Sequence, residues 1–122
     1  SKYFKMGMAA YNQEVKIASL GVLPEYVYKD QAVNQEVAVS MAESVRKLAG
    51  SDIGLATTGF AGPDGGTADE PVGTVYIAIN HKQGSLIDRI IHPVSRTRAK
   101  AYAAQRALYN LYWFLSSYER KR

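Results

Sequence analysis

Thr57 and Thr58 end a short apolar run and stand immediately before Gly59, the start of a loop that holds Ala61, Gly62, Pro63, Asp64, Gly65, Gly66 and Thr67. Two kinds of group could do chemistry here. The threonine hydroxyls can donate to and accept from a ribose or a phosphate. The small residues let main-chain N–H groups from Gly59 to Gly66, apart from Pro63, point together at an anion. Each feature also has a plainer reading: cross-strand packing for the threonines, a turn for the glycines. Motif spacing does not choose between them. The stretch lacks the Lys-Ser/Thr ending of a P-loop, and its glycines do not fit the G-x-G-x-x-G dinucleotide pattern.

The elements that must position this loop are legible on either side of it. Ile53 to Thr58 reads as a buried strand, and Thr74 to Ile79, β-branched or aromatic at most positions, reads as a central strand. His81 to Ser85 predicts a hairpin turn into a third strand, Leu86 to Ile91, antiparallel to the second, with Pro93 ending it. Upstream, Met6 to Tyr11 predicts a strand stopped by Asn12, whose side chain suits a helix N-cap. A helix over Gln13 to Leu20 follows, with Val15, Ala18 and Ile17 turned inward and Gly21 as its left-handed stop. Pro24 opens a brief helix, and Asp30 to Val33 is a connector. From Asn34, Val37, Met41, Val45 and Leu48 recur on one helical face, and Gly50 closes that helix. Ser95 or Thr97 caps a last helix from Arg98 to about Tyr118, with Ala103, Ala107, Leu111 and Phe114 or Leu115 inside. Strands separated by helices, with a terminal hairpin, imply one α/β domain over residues 1–122: a three-layer α/β/α arrangement with a mixed β-sheet. In such sheets ligands lie at the carboxyl ends of strands, where the glycine loop begins.

Composition removes several classes of function. The chain has 122 residues, 47% of them hydrophobic, which suffices for one core. No run reaches the roughly 18 to 20 apolar residues of a membrane span, and there is no basic-then-apolar leader, so a soluble, cytoplasmic protein is expected. Without cysteine there is no disulfide or thiolate site, and His81 and His92 are too far apart to suggest zinc; no metal and no cofactor are expected. The net charge of +4 is partly carried by Arg120, Lys121 and Arg122, and elsewhere acids and bases interleave. Nucleic acid is therefore not the expected partner, whereas a small anion fits the charge.

The loop and its flanks, TTGFAGPDGG followed by EPVGTVYIA, resemble the signature of the C-terminal domain of competence/damage-inducible CinA proteins, a family that includes nicotinamide mononucleotide deamidases. FKMGMAAYNQEVKIASLGV resembles the family's opening strand and helix, and QAVNQEVAVSMAESVRKLAGSDIGLA the helix and strand leading into the loop, so nearly the whole chain is covered. The resemblance implies amide hydrolysis of nicotinamide mononucleotide, with homo-oligomers. It implies that Tyr11 and Lys16 assist a nucleophilic serine or hold the substrate; a lysine whose pKa is lowered by burial can take a hydroxyl proton. It implies that Thr57, Thr58, Gly59, Ala61, Gly62, Gly65, Gly66 and Thr67 surround the nucleotide, and that Arg96 binds phosphate through its planar fork. The family's serine lies on an A-E-S-C-T-G-G motif ahead of the first strand; the AES at Ala42 to Ser44 is not that motif, and Ser1 is a poor substitute. The chain thus reads as an N-terminally truncated member, with a non-catalytic nucleotide-binding or scaffold domain as the alternative. Two departures stand out: Asp64 replaces a frequent glycine, and Val94-Ser95-Arg96 replaces a G-D-R segment.

Overall fold

Asparagine caps and glycine stops set the helices where the sequence places them. The computed structural model describes residues 2–62, 64–92 and 95–120, without the side chains of 118–120. Ser1, Pro63, the strand stop at Pro93, Val94 and the Lys121-Arg122 tail lie outside the described residues. The Asn12 side chain accepts from the Val15 amide at 2.8 Å to start α1 (Gln13–Leu20), and Gly21 ends it at φ 63°. After the short α2 (Pro24–Val27), Asn34 accepts from Val37 at 2.8 Å and opens α3 (Gln35–Ala49). Ser95, whose hydroxyl accepts from the Arg98 amide, starts α4 (Arg96–Arg120).

Three strands, β1 (Ile53–Gly59), β2 (Thr74–His81) and β3 (Gly84–Ile91), pair in sequence order. Both ladders are antiparallel: Thr57 faces Ile77, and Ile77 faces Asp88. β2 is buried from Thr74 to Asn80, as expected of a central strand. Period-two alternation then divides the core. Ala56, Tyr76 and Ala78 pack against Ala38 and Ala42 of α3, while Val75, Ile77 and Ile90 pack against Ala107 of α4. Helices thus cover both faces of the sheet, as the α/β expectation requires.

The parallel strand that would make the sheet mixed is not formed: residues 2–12 run without a ladder partner, and the outer edge of β1 is unpaired among the described residues. Local alternation suits an extended chain, but a strand exists only through a neighbour's hydrogen bonds. The helix faces also differ in detail. In α1 the buried residues are Lys16 and Leu20, while Ala18 is exposed. In α3 Val37, Ala38 and Ala42 are buried, whereas Leu48 is exposed. The connector is a 3-10 turn, Lys29–Ala32, in which Asp30, Gln31 and Ala32 all have positive φ. Such strain needs support. Asn34 Nδ2 supplies part of it by donating to the carbonyls of Tyr26 and Lys29.

Candidate active site

Because β1 has an open edge, α4 and the extended residues 2–11 are left facing each other across it, and a cavity of about 1150 Å³ lies between them. β1 contributes Leu55, Thr57 and Gly59 to its wall, α1 contributes Lys16, and α4 contributes Arg96, Ala99 and Lys100.

Lys16 is the unusual member of this wall. The Asn12 cap sets the phase of α1 so that Lys16 and Leu20, four residues apart, share its buried face. Only 8% of Lys16 is exposed, and Nζ donates to the Ala10 carbonyl at 2.6 Å. Burial lowers its pKa from the usual lysine value of 10.5, because the ammonium loses water that the amine needs less. Tyr11, just before the cap, is exposed on the same wall, and Lys100 Nζ lies 5.5 Å from its ring centroid. A neutral amine here can accept a hydroxyl proton, and the phenol can relay or donate one.

The loop is built on glycines that other residues could not replace without strain: Gly62, Gly65 and Gly66 have φ of 82°, 96° and 86°. Arg96 Nη1 donates to the Gly62 carbonyl at 3.1 Å and so ties α4 to the loop. The candidate residues then divide. Tyr11, Lys16, Thr57, Thr58, Gly59, Ala61 and Arg96 all reach the cavity wall. Gly62, Gly65, Gly66 and Thr67 do not: the Gly62 carbonyl accepts from Arg96, a Cβ on Gly65 would meet the Phe60 ring and one on Gly66 the Val72 amide, and Thr67 Oγ1 accepts from Glu70 N at 2.9 Å. Alternation also separates the two threonines. Thr57 is exposed, whereas Thr58 is buried and donates its hydroxyl to the Ala32 carbonyl at 2.7 Å.

Sequence reasoning passed over two contributors. Glu70 accepts from the Tyr76 hydroxyl at 2.6 Å and from Arg89 Nη2 at 3.1 Å, and Arg89 also reaches the Asp69 carbonyl, so β2 and β3 together hold the second half of the loop. Burial, and then the bond to Glu70, raise the Tyr76 pKa. Lys100 is the other; its position one turn after Arg96 was the available signal. Among the described residues there is no cluster of three or more metal-ligating side chains, and no helix is long and apolar enough to cross a membrane.

The model of the CinA C-terminal domain family matches residues 1–115. A putative competence-damage inducible protein of Acetivibrio thermocellus is 47% identical over 100 residues, which are 82% of this chain and 24% of that protein. A CinA-like protein of Geotalea uraniireducens is 51% identical over 84 residues, 69% of this chain and 20% of the relative. Among solved structures, a competence-damaged protein (CinA) superfamily protein from Enterobacter cloacae superposes with a TM-score of 0.80 at 30% identity, covering 86% of this chain and 62% of that one. Competence/damage inducible protein CihA from Agrobacterium tumefaciens gives 0.78 at 31% identity, covering 84% and 63%. The chain thus spans about a quarter of the A. thermocellus relative and under two thirds of these solved chains.

Proposed function

The chain belongs to the CinA C-terminal domain family, and from that premise we propose that it supplies the substrate cavity and proton-handling groups of a cytoplasmic amidohydrolase acting on nicotinamide mononucleotide. The observation that carries this reading is Lys16, a lysine buried in a cavity wall with its pKa lowered. The family's serine, on a segment ahead of residues 1–122, would complete the site by lying in the open cavity beside β1. Its hydroxyl oxygen bonds to the carboxamide carbon while Lys16 takes the hydroxyl proton. Collapse of the tetrahedral adduct breaks the C–N bond, the proton leaves with ammonia, and water then releases the acid. The exposed Tyr109, Tyr112 and Trp113 of α4 support self-association as part of the same proposal.

A second reading is a nucleotide-binding domain without catalysis. One observation favours it: Ser51, the serine on the cavity wall among the described residues, donates its hydroxyl to the Ile53 carbonyl. Both readings expect nucleotide binding. At a hundred times its dissociation constant, nicotinamide mononucleotide is expected to stabilise the fold by about 2.7 kcal/mol, a rise in Tm on the order of 10 °C in a thermal melt. Absence of any shift at millimolar nucleotide, both for residues 1–122 and for the protein with the serine-bearing segment, would refute both.

A further inference from the structure

Resting on the nucleotide reading above, we propose that Glu70 is a positioning residue for the glycine loop: held by Tyr76 and Arg89, it fixes the part of the loop away from the cavity and so sets how the part beside the cavity meets the ligand. The loop leaves β1 after Gly59 and re-enters the sheet at Thr74. Phe60 closes its neck, donating from N to the Thr74 carbonyl at 3.0 Å and accepting from Gly73 N at 2.7 Å. Beyond that neck Gly62, Gly65 and Gly66 all stand at positive φ, and residues without Cβ have many other conformations open to them, so fixed points outside the loop must select one. Arg96 of α4 is such a point, through the Gly62 carbonyl. Glu70 supplies a second.

Strand register builds the receptor for its side chain. Tyr76 of β2 and Arg89 of β3 stand opposite each other in the ladder, on the face that α3 covers, with Arg89 Cζ 6.0 Å from the Tyr76 ring centroid. Both Glu70 carboxylate oxygens are engaged: Oε1 accepts from the Tyr76 hydroxyl at 2.6 Å, and Oε2 from Arg89 Nε and Nη2 at 3.2 and 3.1 Å. The Glu70 side chain is only 14% exposed, against 40% for Arg89, so the carboxylate is screened less than in an ordinary surface pair and its charge-assisted bonds are correspondingly firm. The backbone carries the constraint onward. Thr67 N donates to the Glu70 carbonyl at 2.8 Å and Glu70 N to Thr67 Oγ1 at 2.9 Å. A Cβ on Gly66 would stand 3.3 Å from that same carbonyl and 2.8 Å from Val72 N, so this turn packs directly on Gly66. From Gly66 the chain runs back to Gly62 and its bond with Arg96, which lines the cavity. Glu70, Tyr76 and Arg89 themselves do not line it. Their effect on binding therefore passes through the loop.

The test follows loop and ligand separately in residues 1–122 and in their Glu70→Ala, Arg89→Ala, doubly substituted and Glu70→Gln forms. Arg89 lies on an edge strand and its side chain is 40% exposed, so Arg89→Ala leaves the core intact even if Glu70→Ala does not fold. Without ligand, the NMR order parameters of the Gly65 and Gly66 amides should fall from about 0.85 toward about 0.6 in either alanine variant. Calorimetry should show the affinity for nicotinamide mononucleotide falling about fivefold to tenfold in each, and no further in the double variant, because the two residues act as one latch. Glu70→Gln keeps the length and an acceptor for Tyr76, and should recover affinity to within about threefold of the parent. Unchanged order parameters, unchanged affinity, or losses that multiply in the double variant would overturn the positioning role; a latch that only added stability would lower Tm and leave the affinity of the folded protein as it was. Loosening of Gly65 and Gly66, with no mononucleotide bound by any form, would sustain the hold of Glu70 on the loop and refute the nicotinamide reading instead.

Discussion

Replacing Lys16 by methionine, in the protein that carries the family's serine-bearing segment, is expected to lower deamidation of nicotinamide mononucleotide by about 10²–10⁴-fold, the usual contribution of a positioned proton acceptor. The dissociation constant should change far less, because transfer of the serine proton matters in the transition state rather than in the bound ground state. Methionine keeps the length and buried stem of the side chain, so a loss of this size would not be a packing effect. The pH profile offers a separate check. Burial lowers the Lys16 pKa, so the rate should rise with pH along a limb lying below 10.5, and that limb should vanish in the variant. Stability follows the same proton. Between the lowered folded-state pKa and 10.5, the unfolded chain holds a proton that the folded chain does not. Stability therefore rises with pH through that window, and below it the cost of the buried charge is fully present. Urea titrations across that range should show this slope in the parent and lose it in Lys16→Met. A variant with full turnover would remove Lys16 from the chemistry.

Gly54→Val is expected to produce the largest loss of stability at a single position, beyond the usual 1–3 kcal/mol or so of overpacking and enough to unfold much of the population. β1 meets α3 at this residue. A Cβ built on Gly54 would collide with the Ala42 carbonyl oxygen and lie 2.9 Å from the Arg46 Cβ. The obstacle is helix backbone, which cannot rotate away as a side chain would, and α3 is in turn held to the sheet through Ala38 and Ala42. Gly50→Ala is the control. Its φ of 62° strains any side chain, but no atom lies within 4 Å of the new Cβ, so the cost should be only about 1–2 kcal/mol. Denaturant midpoints for the two variants should differ accordingly; equal midpoints would show that α3 yields at Ala42.

What could be read from the sequence was what local chemistry decides. Asn12, Gly21, Asn34 and Gly50 announce helix ends because each satisfies, or permits, a backbone geometry within a few residues. The β2–β3 hairpin is equally local, with a turn between a β-branched run and its partner. Features set at a distance were not legible. Whether Met6 to Tyr11 pairs depends on a neighbour, and no periodicity within the segment reports one. The burial of Lys16 depends on which side of the eight-residue α1 meets the rest of the fold; of the apolar positions expected inside, Ile17 does pack against the core, but Ala18 is exposed and Lys16 takes a buried place beside Leu20. Arg89 lies 19 residues from Glu70, so their pairing across the loop appears only once β2 and β3 are in register. The candidate site shows the same division. The glycines announced a loop of special conformation, but which of them reaches the cavity was fixed by the Phe60 ring, the Val72 amide and the course of α4.

The direct measurement of the central claim is ammonia release from nicotinamide mononucleotide by residues 1–122 alone and by the same residues preceded by the family's A-E-S-C-T-G-G segment. A primary amide resists water at neutral pH, and Lys16 and Tyr11 can move a proton but do not supply the covalent step that divides the barrier. Residues 1–122 alone should therefore release no ammonia above background, while the joined protein turns over and loses that turnover when its motif serine is replaced by alanine. Ammonia release by residues 1–122 at a rate comparable to the joined protein, or none from the joined protein, would contradict the account.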